Sequence, residues 1–397
     1  MTGTVLSAFN DFAEATGSTY VQSPKKISNL AGRHAYFWSR LFSNNKETVR
    51  GGEDLRFHFI AKPNGTYEEY LPGAYHNWTN PQRLQKGVAQ WRFTMVHMSW
   101  VDQEILLNDK IRYGQEQYVF EAFVDLRNEK EMMMWTEKAE GMENALWRQP
   151  NVTLMEGTGA SAISPYSIFV FCNTHANGLF PSYTPGGAWT VVEEINPASA
   201  DVDGKFTNQV STYSSSVQDN PNNIIGGLDD LWMDLQFEAP SMLKAYFENP
   251  ALNNQMFLTT KFGRKTFMGL LRAGQDRFVA GNQDPAYPDP QMHGVPVRRC
   301  DALETAAVYA NAGATALVTE RDATGANIGP VFYGLNGNYL FPIVHDERYF
   351  FKDKPSRHHN IPDTWVMPVA TWWQLFCKSR KHQGILRPSG TGITAYA

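Results

Sequence analysis

The sequence predicts an α+β fold, with alternating strand stretches separated along the chain from a long helical one, and four stretches carry the prediction. EQYVFEAFVDLRNEKEMMMWTEKAEGMENALW, residues 116–147, holds no proline and a single glycine. DLRFHFIA at 54–61 and AQWRFTMVHM at 89–98 alternate apolar and polar residues as half-buried strands do. WVMPVATWWQLFCKS at 365–379 is a strong strand near the end of the chain.

As one helix, the first stretch would be about 48 Å long at about 1.5 Å per residue. That is about three times the usual helix. Val119, Phe123 and Leu126 share a helical face, with Phe120 and Val124 beside them, and Trp135, Ala139, Met142 and Leu146 repeat the spacing. Leu126 and Trp135 are nine positions apart, so they point to opposite sides and the stripe changes face midway. A coiled coil keeps one seam over several heptads, and a membrane span needs about 20 consecutive apolar residues. Neither fits a run in which Glu and Lys recur. Two readings stay open: one rod packing on different surfaces near its start and its end, or two helices with a break near Asn128.

The chain has 397 residues, 42% hydrophobic and 19% charged, a composition that folds. It suffices for one large domain or two to three smaller ones. The net charge of −5 excludes a generally basic nucleic-acid coat while leaving local patches open. Residues 1–50 carry Lys25, Lys26, Arg33, Arg40, Lys46 and Arg50 against Asp11, Glu14 and Glu47. Residues 352–387 carry seven basic residues against Asp353 and Asp363, so both ends are basic and the middle is acidic. The 11 tryptophans suit either self-assembly or an aromatic-rich core. MTGTVLSAFNDFAEATG lacks the pattern of a signal peptide. Cys172, Cys300 and Cys377, widely spaced and odd in number, read as reduced thiols of a cytosolic product. The sequons at Asn64, Asn77 and Asn151 then carry no glycan.

Along the chain, residues 1–50 read as an extended arm with a short helix around Ala35 to Phe42. Residues 51–99 read as a long hairpin with a turn at Asn64-Gly65, and Trp91, Phe93 and Met95 share a face of its second strand. SWVDQEILLNDK starts a helix capped by Ser99 or Asp102. YSIFVF and AWTVVEEI read as strands and GGLDDLWMDLQF as a helix. NQMFLTT is a buried strand, followed by the amphipathic basic helix KFGRKTFMGLLRAGQDRF, with Phe262, Thr266, Leu270 and Ala273 on its apolar face and Phe267 and Leu271 adjoining. DPAYPDPQMHG, with three prolines, is irregular. VPVRRC is a strand, and GPVFYGL pairs with GNYLFPIV across Asn336-Gly337.

Chemistry is hard to find. There is no phosphate-binding GxxxxGK[ST] and no GxSxG elbow, and GTGAS at 157 stands without a dinucleotide fingerprint. His358-His359 has no metal-spaced partner. His345, Asp346 and Glu347 could hold a cation but read better as a polar strand end. Asp229-Asp230 suits the first turn of a helix, where acids favour the dipole. No catalytic, cofactor-binding or metal residue is assigned.

Six stretches together resemble a known family: SWVDQEILLN after QWRFTM, SPYSIFVF, FGRKTFMGLLRAGQDRFVAGNQDPAY leading to HGVPVRRCDAL, and NIPDTWVMPVATWWQLFCKSRKHQG. They are similar to major capsid proteins of tailed double-stranded DNA bacteriophages, whose fold is the Hong Kong 97 type. The order of elements agrees across about residues 30–387. The resemblance implies an N-terminal arm at 1–50, an E-loop hairpin at 51–99 and a peripheral domain at 100–225. That domain would hold a spine helix at about 114–148 and is long enough for an insertion. An axial domain at 226–365 and a C-terminal strand with a basic tail at 366–397 complete the expected map. The implied function is self-assembly into hexamers and pentamers of an icosahedral head around double-stranded DNA, bound without sequence preference on the inner face. Portal, scaffolding and decoration or cement proteins would be partners, and no membrane would be. Location would be the virion, after assembly in the host cytoplasm. No long N-terminal segment of the kind some relatives cut away is visible, so scaffolding would come from a separate protein. Two alternatives stand beside this one: a cellular encapsulin-like shell enclosing enzyme cargo, and a mixed α/β enzyme, for which the arm and hairpin would lack a purpose.

Overall fold

The structure is a computed structural model that describes residues 37, 41–42, 46–60, 69, 71–72, 84–102, 126–148, 150–156, 163–173, 189–196, 206–214, 222–235, 255–273, 290–305 and 329–389. In chain order the strands are β1 (Glu47–Val49), β2 (Asp54–Ile60), β3 (Leu84–Gln90), β4 (Arg92–Val101), β5 (Gln209–Tyr213), β6 (Gln255–Thr259), β7 (Gln291–Met292), β8 (Val295–Arg299), β9 (Phe332–Asn336), β10 (Leu340–His345), β11 (Phe351–Lys352), β12 (Ser356–His358), β13 (Ile361–Cys377) and β14 (Gly384–Pro388). The longest helix is Leu126–Leu146, and shorter ones span Val152–Met155, Ile168–Phe171, Ile224–Asp234, Lys261–Ala273 and Asp301–Thr305. No helix among the described residues is long and apolar enough to cross a membrane.

The chain divides into two compact units. Among the described residues, the smaller holds 94–102, 126–140 and 350–371, and the larger holds the rest. β4, β13 and the Leu126–Leu146 helix each contribute residues to both.

In the smaller unit, β11 and β12 pair antiparallel with the first part of β13. The Thr94 hydroxyl donates to the Thr371 carbonyl at 3.2 Å. Met98, Trp100, Met134, Met367 and Val369 form the core, with Trp135 and Phe350 packed edge-on beside it at 5.7 Å. The helix buries Met134 and Lys138, four residues apart on one face, while Met132 and Met133 stay exposed. Lys138 donates to the Thr94 carbonyl and hydroxyl, both at 3.0 Å. Burial pushes its ammonium down to about 8 from 10.5. Because the folded value lies below the unfolded one, folding favours the neutral amine. The stability contributed by Lys138 therefore rises as pH climbs from about 8 towards 10.5 and is lowest below 8. Denaturant midpoints should increase across that window, and Lys138→Met should flatten the increase.

In the larger unit, one sheet runs β5-β14-β9-β6-β8-β7. The Ile224–Asp234 and Lys261–Ala273 helices supply its core with Ile224, Leu228, Leu231, Phe267, Leu270 and Leu271 against Phe257, Val297, Phe332 and Leu386. Gly334 and Gly384 permit this approach, since a Cβ at either would lie 2.6 or 2.7 Å from a leucine methyl. A second set of pairings joins β1 parallel to β10, and β10 antiparallel to the last residues of β13, from Leu340 opposite Cys377 to Val344 opposite Trp373. β2 and β3 form a separate hairpin, in register from Asp54 opposite Gln90 to Ile60 opposite Leu84.

Many expected elements are present. DLRFHFIA buries Leu55 and Phe57 and exposes Arg56 and His58. NQMFLTT and VPVRRC are strands, and the Lys261–Ala273 helix buries Thr266, Phe267, Leu270 and Leu271. Phe37, Leu41 and Phe42 are helical and buried, within the expected Ala35–Phe42 helix. The long helix runs unbroken from Leu126 through Asn128 to Leu146, while 116–125 lies outside the described residues. Most of the arm, most of the hairpin tip at 61–83 and GTGAS also lie outside them.

Other expectations are corrected. YSIFVF is not a strand: Ile168–Phe171 is one buried helical turn. Its terminal carbonyls, on Val170 and Phe171, accept from the Arg380 guanidinium at 3.0 and 3.2 Å, which satisfies groups that a helix end leaves open. AWTVVEEI is a tight turn at Val192–Ile195, with Glu193 and Glu194 both at positive φ. β9 and β10 do not form a hairpin and lie in different sheets. The reason is Gln383. Its side chain accepts from the Asn336 amide at 2.9 Å and donates to the Asn336 carbonyl at 3.0 Å, taking the place of a hairpin partner. Trp91 and Phe93 both lie against the His345–Trp372 ring pair, but Trp91 is buried while Phe93 and Met95 are exposed. The pairing breaks at Trp91, whose indole donates to the Gly52 carbonyl at 2.9 Å, and the hairpin described ends at Gln90. Arg92 then turns inward, donating to the Met155 and Ser164 carbonyls, so Phe93 and Met95 face solvent. Ser99 caps no helix, because β4 continues through Val101. Asp229 and Asp230 lie beyond the first turn of a helix that begins at Ile224 under an Asn223 cap. Part of DPAYPDPQMHG is regular, since Gln291 and Met292 pair with Pro296 and Val295.

Candidate functional site

The described surface offers three regions suited to protein contacts, all in the larger unit. The first is the β2–β3 hairpin. Its inner face fastens it to the unit: Leu55, Phe57 and Ala89 are buried, and Phe57 meets Phe376 edge-on at 4.5 Å. Phe59 stacks on Phe206 at 5.6 Å. Its outer face presents Arg56, His58 and Lys86 to solvent. A two-stranded hairpin is at best marginally stable in water, so these ring contacts set where its base lies.

The second region is aromatic. Phe93, 61% exposed, stands edge-on to Trp372 at 4.8 Å, and His345 lies against Trp372 at 5.2 Å. Arg348 sits over the same indole at 5.7 Å. Adjacent strand residues point to opposite faces, and the pair Trp372-Trp373 obeys this. Trp373 is fully buried with Phe42 against it at 5.3 Å, while Trp372 is half-buried among the surface rings. Aromatic and arginine side chains of this kind dominate binding energy where proteins meet.

The third is the basic segment after β13. Lys378 is exposed, bonds Glu47 at 3.0 Å and lies over the Phe341 ring. Lys381 is half-buried, and His382 stacks on Tyr339 at 3.9 Å, its pKa pushed down to about 4 by burial and then by Lys381. Arg380 departs from expectation. It is fully buried, and burial lowers its pKa; it belongs to the core rather than to a basic surface.

The residues weighed for chemistry stay apart. His345 caps the 3-10 turn Asp346–Arg348 by accepting from the Glu347 amide, and Asp346 pairs with Arg50 at 2.6 Å. His358 accepts from the Asn360 amide at an exposed strand end. Asp229 contacts His293 at 2.5 Å. Among the described residues no three His, Cys, Asp or Glu side chains come together as a metal site would require. Cys172, Cys300 and Cys377 are buried free thiols; burial pushes Cys172 up to about 12 and raises the other two as well, so they remain protonated and weakly nucleophilic. Asn151 caps the Val152–Met155 helix by accepting from the Leu154 amide. The sequence reading missed the buried polar framework of Arg92, Lys138, Glu143, Glu193 and Arg380. Glu143, for example, accepts from the Trp147 indole at 3.0 Å and from the Cys300 thiol at 3.3 Å.

No protein-family model matches the sequence, and no curated protein does. Solved structures do. A chain of the cyanophage A-1(L) capsid asymmetric unit aligns with a TM-score of 0.56 at 10% identity, covering 94% of this chain and 98% of that one. The capsid of a native GTA particle aligns with a TM-score of 0.52 at 10% identity, covering 96% and 98%. That of an empty GTA particle gives 0.50 at 11% identity, covering 95% and 98%. The fold is therefore the Hong Kong 97-type capsid fold, followed over nearly the full length of both chains.

Proposed function

We propose that this protein is the major capsid protein of a tailed double-stranded DNA bacteriophage. It assembles as hexamers and pentamers into an icosahedral head, and it is a structural subunit rather than an enzyme. The observation that carries the reading is the end-to-end likeness to capsid chains, with 94% of this chain matched to 98% of the cyanophage one. A fold alone does not fix function. The exposed outer face of the β2–β3 hairpin and the surface rings of Phe93 and Trp372 add support, because both suit contact with further copies.

In this reading residues 1–50 are the arm, 51–99 the E-loop, 100–225 the peripheral domain, 226–365 the axial domain and 366–397 the returning strand and tail. The helix ending at Leu146 is the spine, starting near residue 114. Its role as a rod serving two surfaces fits a helix that contributes residues to both compact units. Portal, scaffolding and cement proteins join it during assembly in the host cytoplasm, and DNA lies on the inner face without sequence-specific contacts. Particles purified from their natural source should contain nuclease-protected double-stranded DNA. Particles carrying enzyme cargo and no DNA would contradict the assignment in favour of a cellular compartment shell.

A further inference from the structure

The Val192–Ile195 turn is built at odds with its sequence. Val192 and Ile195 exchange backbone hydrogen bonds at 2.9 Å, leaving a two-residue loop. Glu193 and Glu194 fill it at φ 55° and 60°. Loops of this geometry strongly favour Asn-Gly, because both residues sit in the left-handed region. Non-glycine residues persist there only where their surroundings hold them.

Here the surroundings are four elements. The Glu156 carboxylate accepts from the Glu193 and Glu194 amides at 3.4 and 3.1 Å and from the Tyr166 hydroxyl. The Glu193 carbonyl accepts from the Val88 amide of β3 at 2.8 Å. The Glu193 side chain is fully buried. Its Oε1 accepts from the Cys377 amide of β13 at 3.1 Å, and its Oε2 has no hydrogen-bond partner. The turn thus ties the β2–β3 hairpin to β13 through one residue. An ionised carboxylate with an orphaned oxygen in that position is strongly disfavoured.

We propose that the Val192–Ile195 turn is a proton-gated anchor: it holds the β2–β3 hairpin while the Glu193 carboxyl is neutral and loosens it when that carboxyl ionises. The charged and titratable groups around it are Glu156, Glu194, Tyr166, Arg92, Arg380, Cys172 and Cys377, with Arg56 of β2 near Glu194. Burial outweighs the rest. It raises Glu193 well above 4.5, with Glu156 adding to the rise and Arg380 and the Cys377 amide opposing it. Glu156 is raised as well, burial again leading, while Tyr166 and the turn amides oppose. A carboxyl raised in the folded state gives anchoring that is complete in acid and is lost as pH climbs from the ordinary carboxylate range through the raised value. The inference rests on the turn itself and is independent of what the hairpin touches in an assembly.

Hydrogen exchange on unassembled full-length subunits tests it, from about pH 5 to about pH 8, with intrinsic rates corrected. The Val88 amide should lose protection with rising pH, by up to about tenfold per pH unit. Amides of β14 report the rest of the unit and should not follow. Glu193→Gln, which keeps the shape and cannot ionise, should remove that slope at Val88. Val88 and β14 tracking each other in the parent protein would overturn the proposal, as would an unchanged Val88 slope in E193Q. Should E193Q fail to fold, the parent comparison decides alone.

Discussion

Trp373→Ala should unfold the protein or leave it barely folded, whereas Trp372→Ala should leave the fold intact. Trp373 is fully buried in β13, where Val344 is its neighbour across the strands and Phe42 packs on its ring. Removing a core tryptophan typically costs about 3–5 kcal/mol, a large share of the about 5–15 kcal/mol that holds a domain folded. Trp372 points the other way, into the half-exposed cluster with Phe93, His345 and Arg348. Its loss should change denaturation midpoints little and impair assembly. Urea unfolding read beside sedimentation of the assembled products separates the two effects. Equal and mild outcomes for both variants would show that Trp372 and Trp373 do not divide between surface and core.

Arg380→Gln should destabilise the subunit, and Lys378→Gln should not. Arg380 holds the carbonyls of Val170 and Phe171 at the end of a buried helical turn. Charge-assisted hydrogen bonds contribute about 1.5–3 kcal/mol each. Relief of the buried charge offsets part of that, so the expected net loss is on the order of 3 kcal/mol. Lys378 makes an exposed pair with Glu47, and such pairs contribute about 0–1 kcal/mol. A change at Lys378 should instead appear in the salt sensitivity of assembled particles, since a Debye length of about 8 Å at physiological ionic strength screens exposed charges. Thermal melting of the two variants as free subunits distinguishes core from surface. A stable R380Q would mean that the Ile168–Phe171 turn does not depend on its guanidinium.

The same residue shows where reading the sequence ran out. Arg380 lies in KSRKHQGILR, a run of positive charge that reads as solvated surface, and nothing nearby announces carbonyls 209 and 210 positions away. Lys138 and Thr94 are 44 apart, and Gln383 and Asn336 are 47 apart. Each of these side chains finds its partner only after the chain has folded. Gln383 explains why Asn336-Gly337, a sound local turn signal, sends the chain into another sheet instead of closing a hairpin. YSIFVF failed for a different reason, because four buried apolar residues in a row carry no period that tells a helical turn from a strand. Burial that alternates was legible, as in Arg56, Phe57 and His58 or in Trp372 and Trp373. Of the candidate surfaces, the hairpin and the tryptophan pair could be located from pattern. The aromatic cluster around Phe93 could not, because the inward turn of Arg92 leaves Phe93 and Met95 exposed.

Electron microscopy of the purified full-length protein, beside a variant lacking Gly65 to Gln85, tests the central claim most directly. A capsid subunit clasped through its hairpin should build closed icosahedral shells. The shortened chain should stay folded and soluble yet form only small oligomers. Compact monomers from the full-length chain under every assembly condition, or intact shells from the chain without its hairpin, would contradict the account.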